Sequence, residues 1–451
     1  MQKSGLNAEV RSECRSPVIA ILSNNFARQK GLPVIQAVPE TTTASTGDAP
    51  SPFRWVVLLG VWLIYCTFGM TVVSLAPLVP QIMRDLSISH TGMGLIFGSW
   101  QLTFILSAIP CGALLDRIGV RNGLLLGTAA MALSSILRGY AFDLYSMLAA
   151  VAIFGLGGPI VSTGAPKLVT QWFRGRERGL AMGIYITGPA LGAMLALSTT
   201  NSVLLPAFHQ DWRTALLVWA GATLAAGAIW IVIANHPAMR ARDEPKPSGP
   251  RPTQMSVVRE LLGLTSVRVL LVMSIGIFAF NHGLNNWLPE LLRAKGLSAA
   301  SAGYLAAFPT LIGLIGSLTI PRLATPERRY AMLIGLSAAA VLTTLMLRAE
   351  MGTLLVAGLV VQGIARSSLM TIAILALVEN PSIGDKRAAT ASGMFFSAAE
   401  VGGAGGPLVI GAIYSATGGY EMSLTFLTVV TLVLLAGAVY LARISGREAR
   451  G

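Results

Sequence analysis

Arg366 stands in the middle of LLVAGLVVQGIARSSLMTIAILALV (354–378), a run otherwise apolar enough to cross a bilayer. An arginine at the centre of a membrane helix costs roughly 2.5–3.5 kcal/mol on insertion scales. Its planar guanidinium holds carboxylate-like groups by two parallel hydrogen bonds. A second ionisable group, Glu400, lies in the apolar run that follows. Two readings are open. In one, Arg366 and Glu400 form a structural ion pair that lets both be buried. In the other, Arg366 attracts a substrate anion, and Glu400 is its charge partner when the site is empty or carries a proton. The segment FAFNHGLNNWLPELL (278–292) adds hydrogen-bonding groups: Asn281 and Asn285, four apart on one helix face, with His282 and Asn286. His282 is read either as a satisfied packing residue or as a proton or substrate group. Tyr65 contributes a hydroxyl from the first apolar run. Arg366, Glu400 and Asn281 each lie about 13 residues into their runs, roughly 20 Å deep, so they share one level. Trp287 is expected to anchor at the membrane interface, and Lys167 to snorkel to the membrane surface or serve as a way-station for anions.

The elements that must position these groups are membrane spans. The chain has 451 residues, 53% hydrophobic and 12% charged, with mean hydropathy +0.66, far less charge than a soluble protein of this length carries. Its apolar residues fall into twelve runs of bilayer length: 54–78, 93–115, 122–141, 145–171, 179–201 and 213–234, then 268–291, 300–321, 330–347, 353–378, 388–415 and 421–442. The net charge of +13 tempts a nucleic-acid reading. Under this topology, however, 25 of the 33 Lys and Arg fall on one side and six on the other. That is the positive-inside bias, which predicts both termini in the cytoplasm and no nucleic-acid partner. The four histidines are scattered and no HExxH motif or cysteine cluster occurs, so we expect no enzyme activity, no metal and no cofactor.

Residues 235–267 break the hydrophobic pattern with proline and charge. The expected organisation is a disordered cytoplasmic tail (1–53), a six-helix bundle (54–234), a cytoplasmic linker (235–267), a second six-helix bundle (268–443) and a short tail (444–451). An internal repeat supports the division. AMGIYITGPALG (181–192) aligns with ASGMFFSAAEVG (391–402), and Gly155 with Gly363 at nearly the same offset. The repeat sets Arg366 against Gly158, and Glu400 against Ala190. Gly188, Pro189, Gly192, Gly402 and Pro407 are expected to serve close helix packing or bending.

GALLDRIGVR (112–121), between the second and third runs on the basic side, resembles the signature loop of the major facilitator superfamily at Gly112, Asp116, Arg117, Gly119 and Arg121. The resemblance implies an all-α fold of twelve transmembrane helices in two pseudo-symmetric bundles around a central cavity, lined by spans 1, 4, 7 and 10. It also implies a gating loop in which Asp116, beside the start of span 11, locks one side closed with Arg117 and Arg121. GGPIVSTGAPKLVTQWFRGRERGLAMGIYITGPALG and NNWLPELLRAKGLS resemble the cyanate permease and nitroimidazole transporter branch. That branch implies proton-coupled uptake of a small anion; we also expect a monomer in a cell membrane, a bacterial inner membrane. GPALG (188–192) partly resembles the motif of the superfamily's antiporters, which leaves proton-driven efflux of an organic compound as an alternative, and a membrane sensor as a more remote one. Two departures stand out. Val151 replaces a frequent arginine on span 4, and Ile320 stands where the second-half loop would carry its aspartate, so the gate should be asymmetric.

Overall fold

The computed structural model describes residues 52–240, 254–325, 327–380, 382–383 and 385–448; the expected tail and part of the linker lie outside them. Twelve main helices follow in order: α1 (Phe53–Val73), α2 (His90–Gly139), α3 (Leu144–Trp172), α4 (Gly175–Thr199), α5 (Trp212–Asn235), α6 (Gln254–Gly263), α7 (Thr265–Ala294), α8 (Ala299–Leu323), α9 (Arg329–Met346), α10 (Thr353–Val378), α11 (Asp385–Thr417) and α12 (Glu421–Glu448). Polar caps set several starts. Ser89 accepts from Gly92 N at 3.1 Å to open α2. Asp143 and Ser146 form a reciprocal capping box at α3, and the hydrogen bond from Ser146 holds the Asp143 carboxyl below its usual range.

Among the described residues, eleven helices are long and apolar enough to cross a membrane. One of them, α2, has 50 residues, about 75 Å if straight. It is two spans. Gly119 has φ 78° and ψ 161°, a backbone state that a side chain disfavours. The chain folds back there so sharply that a Cβ on Gly123 would collide with the Leu115 side chain. Eight residues along a straight helix would put those two about 12 Å apart. With both arms of α2 counted, twelve spans form two six-helix bundles, α1–α5 and α7–α12.

Glycines let backbones touch within each bundle, where lipid offers no hydrophobic drive and close packing must supply the contact. Gly188 and Gly192 of α4 meet the Trp62 and Cys66 carbonyls of α1, and Gly69 of α1 meets Pro189. In the second bundle Gly402 and Gly406 of α11 meet the Ile275 and Ala279 carbonyls of α7. The two sets occupy corresponding helices, as the repeat requires.

Between the bundles, glycine contacts and hydrogen bonds among the described residues gather at one end, the end opposite the basic loops. A Cβ on Gly94 or Gly98 of α2 would lie 2.7 Å from the Pro407 or Ala404 carbonyl of α11. Thr91 Oγ1 donates to Ser415 Oγ at 3.0 Å. Asn201 Nδ2 donates to Ala299 O at 3.3 Å, and Gly303 of α8 seats against Leu197 of α4. At the basic end a Cβ on Gly112 would meet nothing within 4 Å. Among the described residues the bundles thus meet on the face opposite the basic loops.

Candidate functional site

Arg366 lies midway along α10 and faces α7 and α8. Its Nη1 donates to Asn285 Oδ1 at 2.7 Å and its Nη2 to Thr310 Oγ1 at 3.1 Å. Asn281 Nδ2 donates to the Arg366 carbonyl at 3.5 Å. The sequence-derived set Arg366, Asn281 and Asn285 is thus brought together, half-buried, with Thr310 as a fourth member. Glu400 is elsewhere. Only 7% exposed, it sits on α11, and its Oε2 has no hydrogen-bond partner. It converges with Gln101 of α2 and His282 of α7 around Gly403. A Cβ there would lie 3.1 Å from Glu400 Oε2, 3.3 Å from Gln101 Cγ and 3.4 Å from His282 Cδ2. Gln101 Nε2 lies 3.5 Å from His282 Nδ1, a polar link across the bundle interface.

A structural Arg366–Glu400 ion pair is one of the two readings the sequence leaves open. No such pair forms among the described residues; neutral side chains hold Arg366. Trp287 is no interfacial anchor either. It is 1% exposed, donates through Nε1 to Pro407 O at 2.9 Å and lies 5.7 Å from the His90 ring. Lys167 extends to the basic face, where its Nζ pairs with Asp116 Oδ1 at 2.9 Å. That pair ties the signature loop to α3 of the same bundle. Arg117 is exposed, and Arg121 donates to the Ala234 carbonyl at the end of α5 at 3.4 Å. The second bundle answers with opposite polarity: Arg329 at the start of α9 pairs with Glu379 at the end of α10. Tyr65 stays on the first bundle, where its hydroxyl donates to Ser162 O at 3.3 Å. Arg138, at the end of α2, is buried and donates to Thr71 O at 2.7 Å, capping the carbonyls where α1 breaks.

A family model described as Major Facilitator Superfamily matches residues 61–347. The chain belongs to the major facilitator superfamily. As a member of that family of transporters it is a multi-pass membrane protein and not an enzyme. It is 25% identical over 386 residues to the uncharacterized transporter YycB of Bacillus subtilis (strain 168), covering 84% of this chain and 91% of that one. It is 26% identical over 244 residues to the hexuronate transporter of the same organism, covering 52% and 56%. Among solved structures it is similar to the nucleoside transporter NupG, with TM-score 0.70 and 14% identity over 87% of this chain and 98% of that one; this likeness concerns the fold.

For a superfamily member, the midplane between the bundles is where such polar groups matter. Sequence reasoning passed over Gln101, Thr310 and Gln362. Gln362, one turn before Arg366, is fully buried with both amide atoms unpartnered. A signal existed for two of them: Gln101 in GSWQLTF and Gln362 in LVVQGIAR are carboxamides in runs that otherwise carry none. Thr310 gave no signal, since threonine is ordinary in a membrane helix. Among the described residues no group of three His, Cys, Asp or Glu side chains converges as a metal site.

Proposed function

We propose that this transporter moves a small organic anion across the cytoplasmic membrane, inward and in symport with protons, by alternating access. One observation carries the reading. Arg366 is a half-buried guanidinium at the midplane with no acidic partner among the described residues. A buried charge without a counter-charge is costly, and a substrate anion supplies what Asn285 and Thr310 do not. Hexuronate, named for one relative, is such an anion. Placing the basic face in the cytoplasm, as the charge bias directs, makes this conformation inward-open. Glu400 is the proposed proton carrier, because a carboxyl at the bundle interface without a donor is tolerated best when neutral. The signature loop with its Asp116–Lys167 pair is the proposed cytoplasmic gate, and the cyanate permease branch remains the proposed placement within the superfamily.

The test is uptake of radiolabelled anions by proteoliposomes of the purified monomer, with and without an inward proton gradient. Arg366→Met should abolish uptake of every anion the wild type takes, and Glu400→Gln should abolish acceleration by the gradient. Wild-type uptake by the Arg366→Met protein would remove the anion reading.

A further inference from the structure

Opposite Arg366 in the repeat stands Gly158, and the structure shows what fills the room its missing side chain leaves. A Cβ on Gly158 would lie 3.0 Å from the Phe104 ring and 3.8 Å from the Phe68 ring. Phe68 stacks with Tyr65 at 5.9 Å and packs on Phe154 at 5.0 Å. Phe104 meets Trp100 edge-on at 6.1 Å, and Trp100 in turn meets His282 at 5.8 Å. A continuous chain of aromatic contacts thus runs from α1 across α2 and α3 and reaches the second bundle at His282, the neighbour of Asn281. Tyr65, Phe68 and Phe104 are only half-buried. The Tyr65 hydroxyl is already given to Ser162 O. This wall therefore presents ring faces and edges and no free hydrogen-bonding group from Tyr65, Phe68 or Phe104. In the repeat, the counterpart of this wall in the second bundle is Arg366 with its asparagines.

We infer that the substrate is an aromatic carboxylate, its carboxylate on Arg366 of the second bundle and its ring against Phe68 and Phe104 of the first. The inference rests on the anion reading above and sharpens it. A bare inorganic anion or acetate would engage Arg366 and leave the rings untouched. A polyhydroxylated acid could lay a C–H face on the rings but would find no partner there for its hydroxyls, which would have to leave water unpaired. An aromatic acid satisfies both walls at once. It also gives each bundle a hold on one end of the same small molecule, so the substrate bridges the two halves that must move together.

The experiment is equilibrium binding of radiolabelled benzoate to the purified full-length protein in detergent, at neutral pH where benzoate is ionised, with displacement by unlabelled acetate and D-glucuronate. Binding avoids the leak of benzoic acid through bilayers. Benzoate should bind at least about tenfold more tightly than either competitor, the scale of one good aromatic contact beyond simple burial. Phe104→Leu, which keeps an apolar side chain of similar reach, should erase most of that preference while leaving acetate unchanged; Phe68→Leu is the independent second variant. Equal or tighter binding of acetate or glucuronate overturns the inference, as does an unaltered benzoate preference in both variants. If Arg366→Met abolishes binding of all three with no ring preference in the wild type, the anion reading survives and this one fails. If none of the three binds the wild type, or if Arg366→Met still binds benzoate normally, both fail.

Discussion

Gly98 is the sharpest place to perturb the machine. Its α-carbon faces α11 so closely that a Cβ would lie 2.7 Å from the Ala404 carbonyl and 3.2 Å from Ala404 Cα. Ordinary contact begins near 3.4 Å, so Gly98→Ala requires a retreat of about 0.7 Å between two backbones. Neither backbone can rotate away as a side chain would. Overpacking of this kind costs about 1–3 kcal/mol. The cost falls only on the conformation in which α2 and α11 touch, since the alternative separates them. All of it therefore appears as a change in population, a factor of about 5 to 150 toward the state open on the face opposite the basic loops. Spin labels at Arg84→Cys and Met422→Cys, exposed on the two bundles at that end, in a protein with Cys14, Cys66 and Cys111 replaced by alanine, report this by electron–electron distance measurement. Wild type should give mainly the short distance and Gly98→Ala a dominant longer one. Gly192→Ala is the control. Its Cβ would collide with the Cys66 carbonyl inside one bundle, so it should lower Tm and yield without lengthening the distance. A Gly98→Ala protein that folds, transports and shows the wild-type distance distribution would refute the claim that this seam closes the transporter.

Other outcomes follow from the site and the loops. Arg366→Lys should retain less than about a tenth of wild-type uptake, because one ammonium replaces a fork held by Asn285 and Thr310; near-normal rates would show that only charge matters. Arg366→Met/Glu400→Met should not restore transport, since the two residues are not partners here; recovery of the normal rate would revive a purely structural pair. Lys167→Met should slow transport at saturating substrate more than it weakens binding, because it removes the Asp116 partner far from the midplane; a collapse of affinity with normal turnover would count against a gating role. Cysteines placed in 254–263 should react with an impermeant maleimide only in inverted vesicles, and labelling of intact cells would reverse the orientation.

The twelve spans were legible because a bilayer imposes one length on every crossing segment, and the charge bias was legible because loops keep their lysines and arginines wherever the helices pack. The hairpin at Gly119 was readable as a break between runs. Partners were not. A membrane helix is apolar on its lipid face and its protein face alike, so the faces of α7 and α10 cannot be told apart by hydrophobic pattern. Arg366 and Glu400 share a level, which suggested a pair, but level says nothing about rotation about the helix axis. Trp287 shows the same failure: near a helix end it looked like an anchor, and its indole turned inward to the Pro407 carbonyl. The sequence marks the small residues of α4 and α11 as candidate packing positions, yet only the structure separates Gly192 and Gly402, which join helices within a bundle, from Gly94 and Gly98, which join the bundles to each other.

The fold-back at Gly119 also bears on how the protein is made. The two arms of α2 are joined by a single glycine turn, with Leu115 already against Gly123. No loop remains that would let one arm enter the membrane and wait for the next. The second and third spans are thus built to enter lipid together as a helical hairpin, with Arg117 and Arg121 near its tip, and under the proposed orientation these arginines would hold the turn on the side of synthesis. A biogenesis defect, seen as misinserted and rapidly degraded chains, is then the expected cost of any side chain at position 119, separate from whatever that residue contributes to gating in the finished transporter.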